Sequence, residues 1–168
     1  LKSYKTLRAV YGNIDGKELR LEFPLHQRFE CEGLDVWITH IGGYPGRYHK
    51  DIRNTLESNP PGLFICGHSH ILKVIYDKKN QLLHMNPGAA GKNGFHQKKT
   101  LLRFDIAKGK VWRTQAVALA PASNIDGSFR RAACHLRLQY RAQLRVRRTA
   151  CITDFDNIFI ERLPCRRR

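Results

Sequence analysis

The chain has 168 residues, of which 30 are Lys or Arg and 14 are Asp or Glu, so its formal charge at neutral pH is +16. This length allows one compact α/β domain with an appendage and excludes two domains of ordinary size. No segment has the roughly 20 consecutive apolar residues that cross a bilayer, and the first residues lack a signal-peptide core, so we predict a soluble, cytoplasmic protein with no membrane partner.

Short strands dominate the predicted elements of the first 120 residues. Eight apolar or alternating segments predict strands, at 6–11, 28–32, 35–39, 63–66, 72–76, 81–85, 100–106 and 110–118. The second and third strands flank Glu32-Gly33, and the last two flank Ala107-Lys108-Gly109, so both pairs are expected to form hairpins. Residues 47–59 predict a helix, which Pro60-Pro61 should end.

Residues 121–168 differ in composition from the rest of the chain. They contain 11 basic residues, all of them Arg, and 4 acidic ones, whereas the basic residues before them are mainly Lys. We therefore expect a boundary near residue 120. Apolar residues recur at helical spacing among the arginines and predict an amphipathic helix: Phe129, Ala133, Leu136, Tyr140 and Leu144. This Arg-rich extension is interpreted in three ways: a non-native extension, an arm that contacts the phosphates of nucleic acid, or a helix that covers a sheet edge.

Three turns in the first part of the chain each combine a strand end with side chains that bind metals. These turns are Gly12-Asn13-Ile14-Asp15, Thr39-His40-Ile41-Gly42-Gly43 and Gly67-His68-Ser69-His70. Because each follows an apolar strand, their side chains should meet beyond the carboxyl ends of neighbouring strands. Imidazole nitrogens and an amide oxygen suit Mn²⁺, Fe²⁺ or Zn²⁺, and two such ions can activate a water for attack on a phosphoryl group. Each turn alone is typical of ordinary loops, and the prediction rests on their conjunction.

The order of these motifs, followed by Asn86-Pro87-Gly88, resembles the calcineurin-like metallophosphoesterases, in particular the small YfcE-type phosphodiesterases. The resemblance covers about residues 4–118 and implies a strand-rich, incomplete four-layer α/β/β/α sandwich that hydrolyses a small phosphoester. It implies two divalent metal ions, Mn²⁺ first, with Ni²⁺, Fe²⁺ or Zn²⁺ as alternatives. One ion would be held by Asn13, His40 and His68, and the other by His70. Residues 1–120 would then form a partial metallophosphoesterase domain and residues 121–168 an unrelated extension.

Two departures from the family pattern affect the expected activity. The family opens with an Asp-x-His motif and a Gly-Asp motif, which supply further ligands and a bridging carboxylate, and this chain contains neither. We therefore expect the segment that carries them to lie outside this chain, and metal binding and hydrolysis here to be weak or absent. Many larger relatives have a histidine that acts as general acid after the metal-binding Asn; here the residue is Ile14, so no catalytic acid is assigned.

The sequence is also compatible with functions other than hydrolysis. Some relatives keep the fold as a non-catalytic scaffold that binds a partner, and a nucleic-acid binder would use the basic tail. The oligomeric state is not indicated by the sequence. Asn86-Pro87-Gly88 is either a rigid loop or part of the pocket rim. The remaining histidines are interpreted as surface or core residues, and both tryptophans as core residues: His26, His49, His84, His96, His135, Trp37 and Trp112.

Overall fold

The computed structural model describes residues 6–119, 149–154 and 158–162. Its elements in chain order are β1 (Thr6–Val10), α1 (Lys17–Glu22), β2 (His26–Cys31), β3 (Leu34–Thr39), β4 (Gly43–Tyr44), β5 (Arg47–Tyr48), α2 (Lys50–Ser58), β6 (Leu63–Ile65), β7 (Leu72–Asp77), β8 (Leu82–Pro87), β9 (Thr100–Ala107), β10 (Lys110–Ala118), β11 (Thr149–Asp154) and β12 (Ile158–Arg162). Two sheets of five strands have the orders β1-β12-β11-β9-β10 and β2-β3-β6-β8-β7, and β4 pairs with β5. The strand-rich α/β fold class predicted from the sequence is confirmed.

The second of these sheets is mixed and creates the edge at which the candidate site lies. β2 and β3 form the predicted antiparallel hairpin, with Cys31 opposite Leu34. β3, β6 and β8 are parallel neighbours, and β7 pairs antiparallel at the far edge. Parallel strands bring their carboxyl ends to one side of the sheet. The turns that follow β3 and β6 therefore start side by side.

A single apolar core joins the two sheets and α2. Its fully buried members include residues of both sheets: Val36, Ile38, Leu63, Phe64, Ile65, Leu102 and Phe104. Helix α2 adds Ile52 and Leu56, which are four residues apart and so lie on one face of the helix. Burying a side chain of this size contributes roughly 1.5–3 kcal/mol. The core thus fixes the frame from which the site loops extend.

Two sequence predictions in this region need correction. The predicted helix at 47–59 begins only at Lys50, because Arg47–Tyr48 pairs with Gly43–Tyr44 and the His49 side chain caps the helix by accepting from the backbone N–H of Asp51. Trp112 was expected in the core but is 53% exposed, since β10 is an edge strand of its sheet. Trp37, by contrast, is buried as predicted.

Strands β11 and β12 were not predicted from the sequence. β12 pairs antiparallel with both β1 and β11, and β11 pairs antiparallel with β9. This late hairpin therefore lies between the first strand of the chain and the β9–β10 hairpin. The amphipathic helix predicted near residues 129–144 lies outside the described residues. Neither helix of the described part of the chain is long and apolar enough to cross a membrane.

Candidate metal site

The backbone ties two of the histidine turns together. His40 directly follows β3, and Gly67-His68 follows the neighbouring parallel strand β6. The backbone N–H of Gly67 donates to the carbonyl of His40 over 2.9 Å. This bond continues the pairing of the two strands past their ends, so the relative position of the two turns is set by the sheet.

Asn13, on the turn after β1, completes a cluster with these two histidines. Its Oδ1 lies 2.9 Å from Nε2 of His40 and 3.2 Å from Nδ1 of His68. The two imidazole rings meet at 75°, with their centroids 5.2 Å apart. Ligand atoms about 2.1 Å from one divalent ion are roughly 3.0–3.4 Å apart in tetrahedral or octahedral geometry. The amide oxygen therefore lies within about 0.1 Å of this range from one ring nitrogen and inside it from the other, and the donor set suits a divalent metal ion.

His40 is held in the protonation state that metals bind. Burial, with a further contribution from His68, lowers the pKa of His40 to about 4, against an opposing effect of Asp15. The imidazole is therefore neutral at pH 7 and carries a lone pair. Its Nδ1 is buried and has no hydrogen-bond partner among the described residues.

The Gly67–His70 turn is strained and is held by a buried amide. His68 and His70 both have left-handed backbones, with φ of 65° and 57°, a conformation that residues other than Gly rarely adopt. Asn86, at the end of β8 and fully buried, donates from Nδ2 to the carbonyl of Gly67 over 3.0 Å and to Oγ of Ser69 over 3.1 Å. Asn86-Pro87-Gly88 therefore shapes the site by positioning the histidine turn.

Close packing behind His40 requires a residue without a side chain. A Cβ added at Gly42 would lie 2.5 Å from Cβ of Cys66 and 2.9 Å from a ring carbon of Phe64. Real Cβ atoms do not approach other atoms so closely, because core packing leaves no such space. The turn after β3 thus rests directly on β6 and on the residue after it.

His70, the fourth predicted ligand, points to a different neighbour. Its ring contacts His96, with centroids 5.1 Å apart. It remains close enough to His40 to lower the pKa of that residue slightly. His96 lies in the loop after β8 and was interpreted from the sequence as an unremarkable surface or core histidine. The only sequence signal for His96 is Gly94, two residues before it in a Gly-x-His pattern.

Carboxylates contribute little to this cluster. Asp15 accepts from the backbone N–H of Gly12 and thereby shapes the turn that carries Asn13. Among the residues that the structure describes, no three His, Cys, Asp or Glu side chains gather in a way that could hold a metal ion. The cluster therefore depends on a carboxamide in addition to imidazoles, and it lacks the negative charge that would bind a cation strongly.

The family of the chain follows from its sequence. A profile of the calcineurin-like phosphoesterase superfamily domain matches residues 1–109, which is more than half of the chain. The chain therefore belongs to the calcineurin-like phosphoesterase superfamily, and the resemblance noted from its motifs is confirmed. No curated protein gives a match.

Several solved structures give matches, and one with a TM-score of 0.50 shows the same fold. An archaeal phosphodiesterase is 21% identical with a TM-score of 0.50, over 66% of this chain and 67% of that one. A Streptococcus pneumoniae protein described as a predicted phosphoesterase is 15% identical with a TM-score of 0.46, over 66% and 69%. Vps29 from Chaetomium thermophilum is 13% identical with a TM-score of 0.47, over 66% and 65%. The chain thus spans about two thirds of the length of each.

Proposed function

We propose that this chain carries part of the metal centre of a phosphoesterase, in which Asn13, His40 and His68 bind one divalent cation and His70 contributes to a second. The observation that carries the proposal is the position of Asn13 Oδ1, 2.9 Å from His40 and 3.2 Å from His68. Three turns from separate parts of the sequence converge there, and the hydrogen bonds between the amide oxygen and the two imidazoles hold all three side chains together.

The bound ions would supply Lewis acidity and a nucleophilic water. The protein supplies the frame: His40 is neutral, Asn86 orients the histidine turn, and Gly42 lets the two turns approach. The loop at 88–100 contains three lysines and no acidic residue, which suits an anionic phosphoester. Ile14 is 65% exposed and cannot transfer a proton, so esters with good leaving groups are the preferred substrates. Mn²⁺ is the ion of first choice, and a cytoplasmic location belongs to the same proposal.

Activity of this chain is expected to be weak. Among the described residues, no further histidine or acidic side chain joins His40 and His68 to form a group of three that could hold a metal ion. Without a carboxylate shared between the ions, binding must offset the dehydration of the cation with neutral ligands alone. We therefore expect loosely bound metal and slow phosphodiester hydrolysis.

The test compares metal content and hydrolysis of an aryl phosphodiester with Mn²⁺ for the chain and for its His40→Ala variant. His49→Asn is the matched control, because it removes an imidazole outside the site while asparagine keeps the cap of α2. A third protein carries an added segment with the Asp-x-His and Gly-Asp motifs of the family. Hydrolysis that appears in this third protein and is lost with His40→Ala supports the proposal; no hydrolysis in any of them removes it.

A second candidate, a scaffold that binds a protein partner, is favoured by β7. Most of this edge strand is exposed, including large apolar side chains: Leu72, Val74, Ile75 and Tyr76. An apolar, unpaired strand edge is typical of surfaces that bind other proteins. The two candidates differ in metal binding, since a scaffold needs none. A chain that binds no metal but self-associates or captures a partner through β7, and loses this with Val74→Lys, is a scaffold.

A further inference from the structure

The proposed centre assigns one histidine, His70, to the second ion, and the structure places another beside it. The rings of His70 and His96 meet at 81° with their centroids 5.1 Å apart. The corresponding values for His40 and His68, which share Asn13, are 75° and 5.2 Å. Two imidazoles that bind one tetrahedral ion have centroids roughly 5 Å apart. The second histidine pair therefore has the spacing of the first.

Gly94 keeps open the space that the two rings face. A Cβ added there would overlap Nδ1 of His70 and lie 3.0 Å from Nδ1 of His96. Both nitrogens therefore lie around the same point. Gly94 also has a φ of 126°, a conformation that residues with a side chain rarely adopt. The loop brings backbone without a side chain to the place where the two imidazoles converge.

The hydrogen bonding of His96 leaves one nitrogen available to a ligand. Its Nε2 lies 3.1 Å from the carbonyl of Gly91, which can only accept, so Nε2 carries the proton and donates. Its Nδ1 is buried and has no hydrogen-bond partner among the described residues. Histidines that bind metals usually donate their other N–H to a carbonyl or carboxylate in this way, which fixes the tautomer.

We propose that His96 is a metal ligand and that Nδ1 of His96 and His70 together bind one divalent cation, with water completing its coordination. This inference rests on the proposed function, because it concerns the second ion of the same centre. It assigns to the loop after β8 a ligand that compensates in part for the shortage of carboxylates. Zn²⁺ and Co²⁺ are suitable probe ions, since both accept tetrahedral imidazole coordination.

The experiment titrates the full chain with Zn²⁺ alone by calorimetry and follows the imidazole nitrogens by long-range ¹H–¹⁵N spectra. We expect the Nδ1 resonance of His96 to shift on metal addition, and His96→Ala to weaken one binding step roughly tenfold or more. Gly94→Ala should weaken the same step, because its methyl group displaces the His70 ring. His40→Ala should weaken the other binding step, and His49→Asn should weaken neither step.

The outcomes separate the two proposals. If the chain binds Zn²⁺ and His96→Ala changes neither the affinity nor the spectra, the role of His96 is overturned while the proposed function stands. If the unmodified chain binds no Zn²⁺, the role of His96 is overturned, and the proposed function is decided separately by hydrolysis in the protein that carries the added segment. Far-UV circular dichroism of each variant ensures that a lost step reflects a lost ligand. The change in the Nδ1 chemical shift is measured in the unmodified chain. It therefore tests the inference even if a variant fails to fold.

Discussion

Single buried polar side chains connect the frame of this protein to its candidate site. Asn86 is fully buried, and its amide donates to the carbonyl of Gly67 and to Oγ of Ser69, while its Oδ1 accepts from the backbone N–H of Gly88. The histidine turn has left-handed residues on both sides of Ser69, and such a conformation persists only where its surroundings enforce it. Asn86 is a main source of that enforcement.

Replacing Asn86 should therefore damage the metal site without touching a ligand. We predict that Asn86→Ala lowers Zn²⁺ affinity by roughly 10- to 100-fold, as loss of outer contacts does in other metal sites. The unfolding free energy should also fall by about 1–3 kcal/mol, since buried partners lose their donor. Calorimetric titration and urea unfolding measure the two effects. Asn93→Ala, an exposed change in the next loop, is the control; equal affinities in the two variants would contradict the positioning role.

Asp77 links β7 to the ribbon of β4 and β5. Its carboxylate is buried and accepts from Oη of Tyr48 and Nδ2 of Asn80, both over 2.7 Å, and from the backbone N–H of Lys79 over 3.0 Å. Burial alone would raise the pKa of Asp77, but these hydrogen bonds outweigh it and lower the pKa below its usual range. The ionised form is thus favoured by folding.

This lowered pKa makes stability depend on acidity. The contribution of Asp77 is complete above the unfolded-state pKa of about 3.9 and is lost as the pH falls through the lower pKa of the folded state. We predict that Asp77→Asn lowers the unfolding free energy at pH 7 and flattens its decline below about pH 4. Urea unfolding at several pH values measures this. The control is Asp35→Asn, because the Asp35 carboxylate is partly exposed beside Arg28; this change should lower the unfolding free energy by at most about 1 kcal/mol. If Asp77→Asn loses stability in acid as steeply as the unmodified chain does, Asp77 is not the source of the acid sensitivity.

At the scale of elements, the turn that follows β3 packs closely against β6, and this contact sets the geometry of His40. We predict that Gly42→Ala lowers the unfolding free energy by about 1–3 kcal/mol, because its methyl group would overlap Cys66 and Phe64. Thermal unfolding provides the measurement. Gly16→Ala is the matched control, since nothing lies within 4 Å of a Cβ there, and its effect should stay below about 1 kcal/mol. Equal melting temperatures would show that the turn can move away from β6.

Local signals explain which elements could be predicted from the sequence. The β2–β3 hairpin was found because Glu32-Gly33 supports the left-handed turn that the structure shows, with φ of 52° and 77°. The start of α2 was missed because the strands on either side of the Pro45-Gly46 turn have only two residues each, too few to show a strand period. β11 and β12 were missed for a different reason, since they pair with β1 and β9, which are far away in the sequence. Pairing over such distances leaves no local period.

The candidate site likewise contains residues that could be predicted from the sequence and one that could not. The convergence of Asn13, His40 and His68 could be anticipated from the family resemblance and from the strand that precedes each motif. The parallel pairing of β3 and β6 accounts for the two histidines, whereas Asn13 follows β1, which lies in the other sheet. Their role as ligands remains a prediction. His96 could not be found, because nothing in the sequence states that the loop after β8 folds back onto His70. Side chains brought in by irregular loops are visible only in three dimensions.

At the scale of the whole molecule, the late hairpin forms part of the sheet. We predict that Ile160→Pro, which removes a backbone N–H from the strand between β1 and β11, lowers the unfolding free energy by about 3 kcal/mol or more. Ile160→Val keeps this N–H and should cost less. Urea unfolding followed by Trp37 fluorescence, with all variants made in a Trp112→Phe background, reports on the other sheet, which shares the core. An unchanged transition would instead support residues 121–168 as an independent extension.

The position of β12 also bears on the order in which the molecule can assemble during synthesis. β1 is synthesised well before the strand that pairs with it, β12 (Ile158–Arg162). Contacts between such distant segments close large loops and slow folding. Asn13 stands just after β1, so the sheet pairing of the strand that precedes it depends on a segment that is synthesised much later. In a nascent chain, the turns that carry His40 and His68 are therefore synthesised well before β1 gains this sheet partner.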